Sequence, residues 1–218
     1  LVPDSLDSLA RLNVLDLSMN RLSGRTPNNL GKLASLNKLV LSGNRITGVI
    51  PKSLGLCKDL QLLDMSCNRL TGSIPDEIGH LQALDILCNL SWNSLTGQVP
   101  DSFSNLSKLA SLDLSHNMLT GSLRALGNRD TLVYLNVSFN DFSGAIPDTK
   151  FFQGLPDTVF LNNQRLCTNR NSCFTSERHH TRNSTKIKLL IILLGVLIAM
   201  TIFTTVVILF IRAHGAKM

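Results

Sequence analysis

The stretch LVLSGNRITGVIP, residues 39–51, decides how this chain is read. It recurs with small changes five more times, and each copy carries an asparagine: Asn20, Asn44, Asn68, Asn93, Asn117 and Asn140. Successive asparagines are 24, 24, 25, 24 and 23 residues apart. An apolar residue stands three before each one (Leu17, Leu41, Met65, Leu90, Leu114, Val137) and another two after it (Leu22, Ile46, Leu70, Leu95, Leu119, Phe142). A glycine stands four after it: Gly24, Gly48, Gly72, Gly97, Gly121 and Gly144. Self-similarity at a fixed period of this length marks a solenoid, in which each short unit buries its apolar face against the next.

Within one unit, two apolar residues two apart point to the same face of a strand, and that face is the core. The residues between and beside them face the opposite, concave surface. The repeated asparagine has no apolar role. Its amide both donates and accepts, so at a buried turn it can bond strand-end backbone and the neighbouring turn, forming a ladder. The glycine suits unusual backbone dihedrals, and the proline after it suits a return path outside any hydrogen-bonded ladder. The return is therefore expected to be extended or irregular. Two registers slip. The fourth unit has an extra residue in ILCNLSWN, with Leu87 three before Leu90, which predicts a bulge in that strand. The run into the sixth unit loses one residue near Arg124, and both slips are expected to disturb curvature locally without breaking the stack.

Aromatic residues make up only 5% of the chain, consistent with an aliphatic stacked core. The net charge of +6 belongs to the tail: residues 1–160 hold 13 Lys and Arg against 14 Asp and Glu, residues 161–218 hold 8 against 1. That distribution argues for a membrane boundary and against a nucleic-acid-binding domain. Cysteines number five. Cys57, Cys67 and Cys88 read as small buried or half-buried apolar fillers. Cys167 and Cys173 are close enough in sequence to close a small loop if oxidised. No spacing suggests a metal site, His179 and His180 included. No cofactor-binding loop and no kinase motif occurs.

The pattern LxxLxxLxLSxNxLxGxIP resembles the plant-type leucine-rich repeat. NKLVLSGNRITGVIP, LTGSIPDEIGHLQALDIL, NLSWNSLTG, SFSNLSKLASLDLSHNMLTGSL and FSGAIPDTKFFQGLP resemble the last repeats of plant leucine-rich-repeat receptor-like kinases, most closely the group of receptors for root meristem growth factor peptides. FLNNQRLC resembles that family's C-terminal cap, usually FxGNxxLC, with Asn162 in place of glycine; Asn tolerates left-handed backbone. The resemblance implies an α/β solenoid, a right-handed superhelix with a concave parallel β-sheet. It implies a Cys167–Cys173 disulfide in the cap. Asn163, also in the cap, is expected to matter less than the six repeat asparagines. The resemblance also implies an extracellular module that binds a peptide and a co-receptor kinase of the same repeat class. The family's paired-arginine strand motif is absent, so the main peptide grip is expected upstream of this chain.

The organisation expected is repeats over 1–150 beginning mid-repeat, a cap over 151–174, a basic linker over 175–188, a transmembrane helix over 189–211 and a cytoplasmic stub over 212–218. Residues 189–211 carry no charge. As a helix they would be about 35 Å long, against a hydrocarbon core of about 30 Å. Gly195 and Ala199 could pack against another membrane helix. The Lys and Arg before this stretch, taken alone, would place the repeats inside the cell. The cap disulfide and four glycosylation sequons, at Asn89, Asn105, Asn136 and Asn183, place them outside, at the plasma membrane.

The candidate ligand surface is the concave one. Asp16, Asp64 and Asp113 lie between strand leucines, with Val40, Asn89 and Asn136 in the same column. Arg21, Arg45 and Arg69 follow the repeat asparagines. Trp92, His116 and Phe139 precede them. An acidic column beside a basic one, with exposed rings nearby, could hold an extended peptide; Arg and aromatic residues are favoured interface anchors. The function expected is the ligand- and co-receptor-binding part of a membrane receptor for peptide signals, or a kinase-less decoy using the same surface.

Overall fold

Each pair of alternating apolar residues becomes a three-residue strand: β1 (Val14–Asp16), β3 (Lys38–Val40), β5 (Leu62–Asp64), β7 (Leu87–Asn89), β9 (Ser111–Asp113) and β11 (Tyr134–Asn136). The computed structural model describes residues 9–127 and 131–167, which belong to one unit, Leu1–Cys173; the second unit, Phe174–Met218, lies outside the described residues. So do Cys173, His179, His180, Asn183 and the proposed span over 189–211. No helix among the described residues is long and apolar enough to cross a membrane.

The odd-numbered strands form a six-stranded parallel sheet in chain order. Its register stacks equivalent positions: Leu15 on Leu39, Leu39 on Leu63, Leu63 on Cys88, Cys88 on Leu112, Leu112 on Leu135. Beyond each repeat asparagine runs a second strand: β2 (Ser23–Arg25), β4 (Arg45–Gly48), β6 (Arg69–Ser73), β8 (Ser94–Gln98), β10 (Met118–Gly121) and β12 (Asp141–Ala145). With β13 (Arg165–Cys167) these make a seven-stranded parallel sheet. The first part of the return, expected to be extended or irregular, is extended and pairs into a second sheet. Stacking lays identical extended segments side by side, and their N–H and C=O groups pair because few other partners are in reach. The proline then starts a 3-10 turn, as at Lys52–Leu56, Asp76–His80 and Asp101–Asn105.

The core is one continuous column of aliphatic side chains from Leu15 to Phe152, with Phe103 and Phe142 also fully enclosed. In the first turn Leu12, Leu17 and Leu22 are only half-buried, whereas Leu36, Leu41 and Ile46 one turn on are closed off.

Two expectations need correction. β7 has no bulge: Cys88, not Leu87, fills the core column, and the extra residue is taken up before the strand at Asp85 and Ile86. Ile86 is consequently pushed outward and exposed. As expected, neither slip breaks the stack: the residue lost near Arg124 falls at a three-residue 3-10 turn, Arg124–Leu126, and both sheets run on continuously. Cys67 is exposed, while Cys57 and Cys88 are buried as expected.

Candidate functional site

The turn joining the two sheets builds the surface. At its centre the ladder asparagine bonds both its own turn and the one before. Asn68 Nδ2 donates to the carbonyls of Leu41 (2.9 Å), Met65 (3.3 Å) and Ser66 (3.0 Å), and its Oδ1 accepts the Ile46 N–H at 3.0 Å. Asn44, Asn93, Asn117 and Asn140 repeat this pattern. Asn20 is exposed and donates only within its own turn, to Leu17 and Ser18. Asn163 is a full seventh rung: it donates to Val137, Phe160 and Leu161, accepts from Phe142 N–H at 3.0 Å, and is only 7% exposed. The lesser role expected for it is reversed, because the cap continues the turn geometry under deeper cover.

The acidic column is committed locally. Asp113 Oδ1 accepts the Ser115 N–H (2.9 Å) and hydroxyl (2.7 Å). Asp16 does the same with Ser18, Asp64 with Ser66, Asn89 with Ser91, and Asn136 with Ser138. These bonds hold the Asp16 carboxyl below the usual carboxylate range. One oxygen of each aspartate thus fixes the turn, and the other faces the strand surface, where Tyr134 Oη lies 3.5 Å from Asp113 Oδ2. Burial and the Asp113 charge push the Tyr134 hydroxyl pKa up.

The third column has a property that the sequence conceals. Met19, Gly43, Cys67, Trp92, His116, Phe139 and Asn162 all have φ between 52° and 67°. Left-handed backbone costs a residue with a Cβ about 1 kcal/mol or more. It persists because both peptide groups are held between turns: Trp92 N–H donates to Ser115, and Trp92 C=O accepts from Asn68 N–H. The conformation aims each side chain outward along one rim. There Trp92, His116 and Phe139 stack face to face, with centroids 3.7 and 4.0 Å apart and planes within 14°. Trp92 and Phe139 remain 56% and 41% exposed.

Arg21, Arg45 and Arg69 are exposed, and none makes an ion pair among the described residues. Arg45 and Arg69 open β4 and β6, so they lie with the second sheet and not beside the aspartates of the first. The acidic and basic columns flank the rim from opposite sides. Further along, Arg165 pairs with Asp141 and ties β13 to β12.

Of the described sequons, Asn105 is exposed, whereas Asn89 and Asn136 are half-buried on the strand face with Oδ1 occupied. Cys167 is disulfide-bonded; Cys173, its implied partner, lies outside the described residues. Burial raises the Cys57 thiol pKa to about 11; burial, with the Asp64 charge, raises that of Cys88 to about 12. Among the described residues no group of three or more His, Cys, Asp or Glu could hold a metal ion.

The family model described as a leucine-rich repeat region matches residues 2–188. The chain belongs to that leucine-rich repeat family. Its repeats are 44% identical over 57 residues to the LRR receptor-like serine/threonine-protein kinase RGI1 of Arabidopsis thaliana, which is 26% of this chain and 5% of that protein. Among solved structures the leucine-rich repeats resemble the plant peptide hormone receptor RGFR1 in complex with RGF2 (44% identity, TM-score 0.70), covering 72% of this chain and 25% of that one. They also resemble the Arabidopsis receptor kinase HAESA in complex with the peptide hormone IDA and the co-receptor SERK1 (35%, TM-score 0.71), covering 78% and 28%. The chain therefore spans about a quarter of each of these two receptor structures.

Proposed function

We propose that this chain is the membrane-proximal part of a plant receptor ectodomain. Its repeats lie outside the cell and bind a peptide signal, the cap side meets a co-receptor kinase, and residues 189–211 anchor it by a single span at the plasma membrane. The observation that carries this reading is the rim: exposed rings on hydrogen-bonded backbone, flanked by arginines that make no ion pair among the described residues, in a chain similar to ectodomains that hold peptide hormones. No catalytic role is assigned to the repeats. Glycosylation is proposed at Asn105 first, where the side chain is open to solvent.

The test is direct binding by the full 218-residue chain in detergent, titrated with synthetic RGF2, IDA and scrambled versions of each. Saturable binding of an unscrambled peptide, weakened about tenfold or more by Trp92→Ala, is expected. Equal binding of scrambled and native peptides, or none, would remove peptide binding from these repeats and leave the rim without the role proposed for it. Release of the chain from membranes by alkaline carbonate would remove the anchor.

A further inference from the structure

The stack of rings on the left-handed rim stops at Trp92. His116 covers one face of its indole. The other face looks toward the preceding turn, where the rim residue is the small, exposed Cys67, and no ring lies on it among the described residues. One turn further back stands Gly43, and there Met19 has folded over: a Cβ added to Gly43 would lie 2.5 Å from the Met19 sulfur. The rim is thus filled over Gly43 and filled from Trp92 onward, but open over Cys67. Rings along the rim repeat at 3.7 and 4.0 Å, so the gap offers the next place in an existing stack. Two turns border or floor it, and each carries an exposed arginine, Arg45 and Arg69, that has no ion pair among the described residues.

We propose that this gap is a recognition slot for one aromatic side chain of a bound peptide, with an acidic group beside that side chain paired to Arg69 or Arg45. The inference rests on the peptide-binding reading above and specifies its chemistry. An aromatic ring entering the slot buries the free indole face in an offset stack, the arrangement aromatic quadrupoles favour. An aliphatic side chain would cover the same face without that geometry. A basic neighbour would meet two like charges.

Two site-specific reporters are built in. Trp92 is the only tryptophan, and Cys67 is the one exposed residue among the free cysteines described. The full chain is titrated with N-acetyl-Asp-Phe-Asp-amide, with the Asp-Leu-Asp and Lys-Phe-Lys analogues as controls, while Trp92 fluorescence and the rate of Cys67 alkylation are followed. The Phe probe should give a saturable fluorescence change and slow alkylation. The two controls should bind about tenfold more weakly or not at all. Cys67→Phe fills the slot with a ring in a conformation that Phe139 already adopts, and should abolish the fluorescence response while leaving the melting curve intact. A Leu probe as effective as the Phe probe, an unaltered response in Cys67→Phe, or no response from the wild-type chain would each overturn the slot. A peptide hormone that binds wild type and Cys67→Phe equally would overturn the slot and leave the receptor reading standing. A responsive slot in a chain that binds no peptide hormone would do the reverse.

Discussion

Replacing Asn163 by alanine tests the ladder where it is most deeply covered. The substitution strands the N–H of Phe142, a residue with no exposed surface, and leaving a buried donor unpaired costs about 1–3 kcal/mol. It also removes three donations, but Val137 C=O keeps its bond from Asn140 at 3.2 Å, so these add about 1 kcal/mol in all. The expected loss is about 2–4 kcal/mol. Asn68→Ala strands Ile46 N–H beside a half-buried site that water can enter, and should cost about 1–3 kcal/mol. Asn20→Ala touches only exposed bonds within its own turn and should stay within about 0.5 kcal/mol. Guanidinium unfolding, followed by Trp92 fluorescence and far-UV circular dichroism, ranks the three variants by transition midpoint at a common slope. The reasoning fails if Asn163→Ala unfolds at the wild-type midpoint, or if Asn20→Ala is as damaging as Asn163→Ala.

At the centre of the ring stack, His116→Gly relieves left-handed strain that His116→Ala retains, so the glycine variant should be the more stable by about 1 kcal/mol; an alanine variant that melts at or above it would contradict the strain assignment. Gly55→Ala would push a Cβ to 2.6 Å from both the side chain and the carbonyl oxygen of Glu77, and should cost about 1–3 kcal/mol by thermal melting; a neutral result would mean the turns can spread apart. Native chain should react with one equivalent of a thiol reagent at pH 8, at Cys67, and release two more sites, Cys57 and Cys88, only on unfolding. The thiol pKa values of those two are raised by burial, so folded protein holds their protons longer than unfolded protein does. Their contribution is complete below the ordinary value of 9.0 and is lost as pH rises toward about 11 and 12, so stability should fall on the alkaline side; a flat profile from pH 8.5 upward would refute it.

The repeat was legible because its core and ladder residues do jobs that tolerate little change. Leu39, Asn44 and Gly48 sit where only an aliphatic side chain, a donor-acceptor amide and a positive φ will serve. Asn162 was legible for the same reason. The rim was not, because its constraint lies in the backbone: Met19, Cys67, Trp92, His116 and Phe139 share a conformation but no side-chain property. Only Gly43 and Asn162, residue types that tolerate left-handed backbone, carry a signal of it. The displaced insertion was misread because Leu87 looks like a better core residue than Cys88, although sulfur packs well there. The second sheet escaped because glycine interrupts its strands and parallel pairing leaves no alternating pattern. The candidate aspartates were found in the right column, but their serine partners two residues later had not been read as turn anchors.

The left-handed rim also bears on how such a chain can change. Its backbone is held by bonds between main-chain groups of neighbouring turns, so a side chain there can be exchanged without disturbing the backbone of its neighbours. Each turn then contributes one variable position to an outward-facing line, coupled to its neighbours only where side chains touch, as Met19 touches Gly43 and Trp92 touches His116. Met19, Gly43, Cys67, Trp92, His116 and Phe139 read as six separate choices on a common support. A new specificity can be written into such a line one substitution at a time, with the core left untouched.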